Sequence, residues 1–169
     1  MNSRVKILVL ANGVITIREY KPTDRSACIR VFKSNEPLYF APSELKLLEN
    51  WLDAKDNEQL AYNNNLDENF YVVEHNSNVV ACGGFYITDE KRANMTWGMI
   101  ERSFHKKGIG KHFLKYRVDE IKYNYPGYII SLDTSQHTFS FFEKQGFSVT
   151  KISKDAYGKG LDRYDMIMQ

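Results

Sequence analysis

The stretch from Met95 to Thr134, "MTWGMIERSFHKKGIGKHFLKYRVDEIKYNYPGYIISLDT", constrains the fold more than any other. An apolar run closes on a basic segment that holds Gly108 and Gly110. Ile109, Phe113, Leu114, Val118 and Ile121 then recur at helical spacing until Pro126-Gly127 end the pattern. A short apolar run, "GYIISLDT", follows. Strand, glycine step, helix, strand is the signature of a crossover connection, and it places the chain in the α/β class.

What precedes the crossover reads as antiparallel. Val5–Leu10 and Val14–Tyr20 are strand candidates joined at Asn12-Gly13, a pair that tolerates the positive φ of a tight turn. The first of them is read either as an extra strand or as a terminal extension covering residues 1–13. Asp24 is a candidate N-cap for a helix carrying Ala27, Ile29, Val31 and Phe32. Ser43 is a candidate cap for a second helix with Leu45, Leu48, Trp51 and Leu52 on one face. The Asn-rich segment "DNEQLAYNNNLDEN" reads as a loop. "NFYVVEHN", "VVACGGFYIT" and "MTWGMIERS" are successive strands, and Gly83-Gly84 suggests a bulge or a close backbone approach. "HTFSFFEKQGF" reads as a short helix, and "SVTKI" and "DRYDMIMQ" as closing strands. With no repeat or linker, residues 1–169 are expected to form one domain: a twisted mixed sheet of about six to seven strands flanked by helices.

The glycine step raises a chemical question. A helix N-terminus leaves N–H groups unpaired and carries the positive end of the helix dipole. Glycines let the backbone curl around an anion there, and flanking lysines add charge. "FHKKGIGKHF" supplies all of these, yet it lacks both the Gly-x4-Gly-Lys-Ser/Thr of a P-loop and the third glycine of a dinucleotide fingerprint.

His105-Lys106-Lys107-Gly108-Ile109-Gly110 resembles the Gln/Arg-x-x-Gly-x-Gly/Ala motif of the GNAT superfamily of acetyl-CoA-dependent N-acetyltransferases, with His105 standing where Gln or Arg is usual. "FFEKQGF", Phe141 to Phe147, is similar to that family's Phe-Tyr-Glu-Lys-x-Gly-Phe helix end. "ITIREYKPTD" and "FYVVEHNSNVVACGGF" resemble its opening strand–helix and its central hairpin. The resemblance runs in order from about Ile15 to Gln169.

It implies that acetyl-CoA is a co-substrate, its pyrophosphate held by His105, Lys106, Lys107, Gly108, Ile109, Gly110 and Lys111. It places backbone groups of Met99, Ile100 and Glu101 along the pantetheine arm, with the Ile100 N–H as a candidate oxyanion donor. Ser135 or Gln136 stands near the slot of a pantetheine-holding asparagine. Phe142 stands where many relatives carry a tyrosine close to the departing sulfur, and it has no proton to give. His137, Ser140, Tyr157 or Tyr164 are candidate donors in its place. Alternatively the thiolate leaves unassisted, as a thiol pKa near ~8.5 permits. A third reading is a catalytically weak coenzyme A sensor or accessory subunit.

Glu101 is the first candidate for general base, with an ion pair to a neighbouring basic residue as its plain structural alternative. "SNEPLYFAPSE" lies where relatives shape the acceptor pocket, so Glu36, Tyr39 and Glu44 are candidates to select a cationic amine. Their alternative is a connection rigidified by Pro37 and Pro42. The implied acceptor is a primary amine on a small molecule or a peptide.

Composition excludes other classes. With 23 basic and 21 acidic residues the net charge is +2, so any anion site is local and nucleic acid is not an expected partner. His105 and His112 have no third ligand nearby, and no metal is expected. No stretch approaches a membrane span, and the run Ile7–Ala11 is short for a signal core. Cys28 and Cys82 read as buried reduced thiols. A cytoplasmic monomer or homodimer is the expectation.

Overall fold

The structure is a computed structural model and describes residues 4–169. Strand β1 (Lys6–Leu10) turns through Ala11 and Asn12 into β2 (Gly13–Glu19), and Leu10 pairs with Gly13. Only the glycine of Asn12-Gly13 adopts a positive φ, 121°. A Cβ there would lie 2.9 Å from Nε2 of His75, which itself contacts the Asn12 carbonyl at 2.8 Å, so Gly13 also makes room for a cross-strand clamp.

Helices α1 (Arg25–Ser34) and α2 (Leu45–Asp56) separate β2 from an antiparallel meander of β3 (Asp67–His75), β4 (Asn78–Thr88) and β5 (Arg92–Ile100). Helix α3 (Ile109–Asn124) crosses over to β6 (Ile129–Ser135), which runs parallel to β5. Helix α4 (Phe139–Glu143) leads into the hairpin β7 (Ser148–Gly158) and β8 (Leu161–Met168). The strands form one mixed sheet in the order β1-β2-β3-β4-β5-β6-β8-β7. The sheet has eight strands, more than the six or seven expected, because the N-terminal segment from Lys6 is a paired strand and not an extension. Residues 1–3 of the expected 1–13 extension lie outside the described residues.

Period-2 alternation sends the apolar residues of the sheet to two cores. On one face Cys28, Val31, Phe32, Leu48, Trp51 and Leu52 of α1 and α2 cover Phe70, Val72, Cys82 and Met99. On the other, Phe113, Leu114, Val118 and Ile121 of α3 cover Ile15, Ile17, Tyr71, Val73, Phe85 and Ile87. Each of these large side chains contributes about 1.5–3 kcal/mol by leaving water, which makes the two faces the main source of stability.

Asp24 stands at the N-cap position of α1 as expected, but its side chain makes no capping bond to the helix; the N-cap of α2 is Glu44 and not Ser43. Asp24 lies in a 3-10 turn, Pro22–Asp24, and its carboxylate takes the Lys21 N–H at 2.8 Å and both terminal nitrogens of Arg18 at 2.8 and 2.9 Å. A charged, bidentate partner outcompetes a helix amide. Ser43 lies inside a second 3-10 turn, Pro42–Glu44, where the Glu44 carboxylate takes the Ala41 N–H at 2.8 Å.

Candidate active site

The sheet splits at its parallel pair. β5 and β6 are hydrogen-bonded only over Arg92–Asn94 and Ile129–Ser131. Beyond that point Met95–Ile100 and Leu132–Ser135 diverge, and the β5 edge facing β6 has no strand partner. A cleft opens there, with main-chain groups along one wall.

A bulge shapes that wall. Cys82 pairs with Met99 and Gly84 with Thr96, so Trp97 and Gly98 together oppose Gly83. Trp97 takes φ 50°, which is uncommon for a bulky residue, and its indole packs against Phe32 and Phe40 on the α1 side. Gly98 is exposed. Farther along, the Glu101 N–H bonds the Val80 carbonyl at 2.8 Å. The alternation of an antiparallel pair then turns the N–H and C=O of Ile100 away from β4. That carbonyl accepts Asn35 Nδ2 at 2.8 Å and lies 2.9 Å from His105 Nε2. Met99 is buried in the α1–α2 core and offers the cleft no side chain.

The chain leaves β5 through a 3-10 turn, Arg102–Phe104, and enters α3 with Gly108 as N-cap. Lys106 (φ 61°) and Gly108 (φ 83°) are both left-handed, which curls the loop. Among the described residues, no main-chain hydrogen bond takes up the N–H groups of Lys106, Lys107 or Gly108. Those of Ile109, Gly110 and Lys111 belong to the first helical turn and are unpaired by geometry. The result is a row of free donors from Lys106 to Lys111 at the positive end of a sixteen-residue helix, which suits a polyphosphate. A Cβ on Gly108 would meet nothing within 4 Å, whereas one on Gly110 would sit 3.7 Å from the Phe141 ring and 3.9 Å from Ile100. Gly108 therefore serves conformation, while at Gly110 a Cβ would only touch its neighbours and a larger side chain would have to enter the space beside Phe141. The Lys107 ammonium lies 4.8 Å over the Phe104 ring, and Lys106 and Lys111 are exposed.

The remaining candidates divide between the cleft mouth and its surroundings. Tyr39, from the α1–α2 connection, packs edge-on against His105 (5.2 Å between ring centres) and His137 (6.1 Å). It thereby joins the β5 exit, the β6 exit and the α1–α2 connection. His137 is exposed, and its N–H reaches the buried Ser135 hydroxyl at 3.3 Å. Phe142 packs edge-on against Phe141 and Phe147 in an apolar setting. Glu101 is drawn to the α1 side, with its carboxylate 3.6 Å from Arg30 Nε and 3.0 Å from the Ser103 hydroxyl. Glu36 is half-buried on the α1–α2 connection.

A second constellation was not legible as such. Tyr157 of β7 donates its hydroxyl hydrogen bond to Asp133 of β6. Arg163 of β8 lies 3.7 Å from the same carboxylate and 2.7 Å from Asp165. Burial, with Asp133 beside it, pushes the Tyr157 hydroxyl far up, so it stays protonated. Glu44 reaches this group from the α1–α2 connection: burial raises its pKa, the Ala41 N–H opposes that rise, and Asp133 adds to it. Asp133 sits in β6 between Leu132 and Thr134, and only the alternation of "IISLDTS" hinted that it faces outward. Gln136 ties the β7–β8 hairpin by donating to the Gly160 carbonyl (2.7 Å) and accepting the Asp162 N–H (2.8 Å). Among the described residues no cluster of His, Cys, Asp and Glu could hold a metal ion, and no helix is long and apolar enough to cross a membrane.

Comparison with known proteins agrees with this architecture. A family model for the acetyltransferase (GNAT) domain matches residues 66–149. The fold is similar to that of a GNAT-family protein from Desulfovibrio desulfuricans, with a TM-score of 0.77, 20% identity, and 92% of this chain and 98% of that chain covered. It is similar to the ribosomal-protein-S18-alanine N-acetyltransferase from Escherichia coli, with a TM-score of 0.69, 17% identity, and 91% and 92% covered. The PaiA N-acetyltransferase from Thermoplasma acidophilum, solved in complex with coenzyme A, gives a TM-score of 0.66 at 20% identity, with 92% and 98% covered. No curated protein matches the chain. The matched span begins at the meander and ends past α4, so it contains both walls of the cleft and the donor row, and the chain is a member of the GNAT superfamily of acetyltransferases.

Proposed function

We propose that the protein transfers the acetyl group of acetyl-CoA to a primary amine by direct attack in a ternary complex. The observation that carries this reading is the row of free N–H groups from Lys106 to Lys111, continuous with the unpaired edge of β5. The donor row fits a pyrophosphate and the strand edge fits the amide-bearing arm, which brings the thioester to the stretch Trp97–Ile100. When bound, acetyl-CoA supplies an acyl carbon activated by a good leaving group. The chain's part is to hold that carbon against the amine, which supplies much of the acceleration. The N–H of Ile100, turned away from β4, would donate to the carbonyl oxygen of a bound acetyl group as negative charge builds on it. Exposed His137 is placed to move a proton at the mouth, while Tyr157 donates to Asp133 and holds that carboxylate in position.

Glu44 and Asp133 act on each other electrostatically and form an acidic wall, and this favours an acceptor that arrives as a cation. The Thermoplasma acidophilum relative, which holds coenzyme A, supports the cofactor assignment. A second reading, a coenzyme A-binding sensor with weak turnover, draws on Phe142, whose aromatic surroundings offer the leaving sulfur no proton.

Calorimetric titration of acetyl-CoA into the wild type and a Gly110→Trp variant tests the proposal. Micromolar binding that is lost in the variant supports the cradle, because the indole must enter the space beside Phe141. No binding to the folded wild type refutes both readings. Product formation with a panel of amines then separates enzyme from sensor.

A further inference from the structure

Arg117, on the third turn of α3, is 5% exposed, yet it faces no carboxylate. The other charged residue in the buried set, Asp24, is held by Arg18. Among the described residues the Nε of Arg117 has no hydrogen-bond partner, and its Nη1 has only a long contact, 3.5 Å, to the Gly84 carbonyl. The guanidinium lies 4.4 Å over the ring of Phe113, one turn earlier on the same helix. Leaving a buried cation this poorly compensated is costly.

The sheet is nonetheless built to receive it. A Cβ on Gly83 would lie 2.8 Å from Nη1, and one on Gly98 would lie 3.0 Å from both Nη1 and Nη2. Gly83 and Gly98 face each other across the bulge, so the absent side chains form the socket that the guanidinium fills. The titratable groups beside it are Cys82 from β4 and Tyr71 from β3. Tyr71 is pushed far up by burial, and Cys82 is raised by its contact with Cys28 and by burial, so both are neutral. Burial lowers the Arg117 pKa to about 10, which leaves the guanidinium charged at neutral pH.

Gly98 is exposed on the cleft wall while its α3 side touches the guanidinium. A fixed positive charge therefore sits one backbone layer beneath the stretch assigned to the thioester, inside a poorly polarisable core that screens it weakly. We propose that Arg117 is a positioning residue that acts through the Gly98 backbone and stabilises the negative charge formed on the acyl group and the leaving sulfur. The inference rests on the acetyl-CoA reading above. As the amine nitrogen bonds the carbonyl carbon, the carbonyl π pair moves to oxygen. On collapse the C–S bond breaks, its pair leaves on sulfur as thiolate, and the amine proton passes to solvent. With a phenyl ring at Phe142, a cation offers that thiolate what a proton donor would otherwise supply.

The test needs no acceptor. Coenzyme A is titrated calorimetrically into the full-length wild type, Arg117→Met and Arg117→Lys, and the thiol of the bound cofactor is then titrated by thiolate absorbance. In the wild type the bound thiol is expected to titrate at least about one unit below the ordinary value of about 8.5, a tenfold gain in thiolate at neutral pH. Arg117→Met is expected to abolish that gain while leaving coenzyme A affinity within about twofold, because the phosphates sit on separate donors. Arg117→Lys is expected to keep part of it. A wild-type bound thiol that titrates at or above the free value overturns the inference even if Arg117→Met does not fold. An unchanged value in a folded Arg117→Met overturns it too. Absence of coenzyme A binding to the wild type is read in the first step, and it removes the functional reading and this inference together.

Discussion

His105 Nε2 lies 2.9 Å from the carbonyl oxygen of Ile100, tying the loop that carries the donor row back to the last residue of β5. Asn35 Nδ2 reaches the same oxygen at 2.8 Å from the end of α1. The cleft wall, the donor row and helix α1 therefore meet at one carbonyl. The residue that departs from the family motif, His for Gln or Arg, is thus the one that sets the loop's angle to the strand.

Removing that tie should loosen the cradle without unfolding the protein. His105→Ala is expected to weaken coenzyme A binding roughly fivefold to tenfold, the worth of one hydrogen bond of about 1–1.5 kcal/mol. His105→Gln keeps a donor of similar reach and should lie within about twofold of wild type. Calorimetry on the two variants checks the pair of outcomes.

Two glycines should fail for different reasons when replaced by alanine. At Gly84 the new Cβ would lie 2.0 Å from the Asn69 carbonyl oxygen and 2.9 Å from the Phe70 ring. Overpacking of that kind costs about 3 kcal/mol or more, and Gly84→Ala should melt far below the wild type. At Gly108 there is open space but φ is 83°, so Gly108→Ala should cost only the left-handed backbone term, about 1–2 kcal/mol. Denaturant melts of the two variants distinguish a clash from a conformational cost.

Acid stability should depend on Asp24. Burial pulls its pKa up, but the Arg18 guanidinium and the Lys21 N–H outweigh that and hold the carboxyl below its usual value. A group depressed in the folded state contributes stability above its unfolded pKa, near ~3.9, and that contribution is lost as pH falls through the folded pKa. Asp24→Asn should lose about 2 kcal/mol at pH 7, since Arg18 then keeps one carboxylate, Glu74, and its stability should vary less below about pH 4. Urea melts from pH 7 to pH 2 measure both effects.

The acidic wall should show in acceptor choice. Removing its central charge by Asp133→Asn is expected to raise the KM for a dicationic amine about tenfold and for a neutral-backbone amine about twofold, with kcat little changed. Turnover of the two acceptor types by thiol release compares them. Equal effects on both would mean that the wall does not read charge.

The amino-acid sequence by itself determined the elements and their order. The helical repeat of Ile109, Phe113, Leu114, Val118 and Ile121, the period-2 runs of β3 and β4, and the glycines at 108 and 110 are local signals, because backbone preference and side-chain periodicity act over neighbouring residues. They carried the α/β class, the crossover and the donor row. Asp24 stands at the N-cap of α1, but its carboxylate is taken by Arg18 and the Lys21 N–H, while at the second helix Glu44 caps the preceding 3-10 turn in place of Ser43. Tertiary structure alone decided where the sheet splits, since β5 and β6 pair over three residues only, a limit that neither strand carries in its own sequence. It also decided that Asp133, Tyr157, Arg163 and Glu44 converge, and that Arg117 enters a socket left by Gly83 and Gly98. Those contacts join residues tens of positions apart. Their energies exist only once the two cores have closed and excluded water.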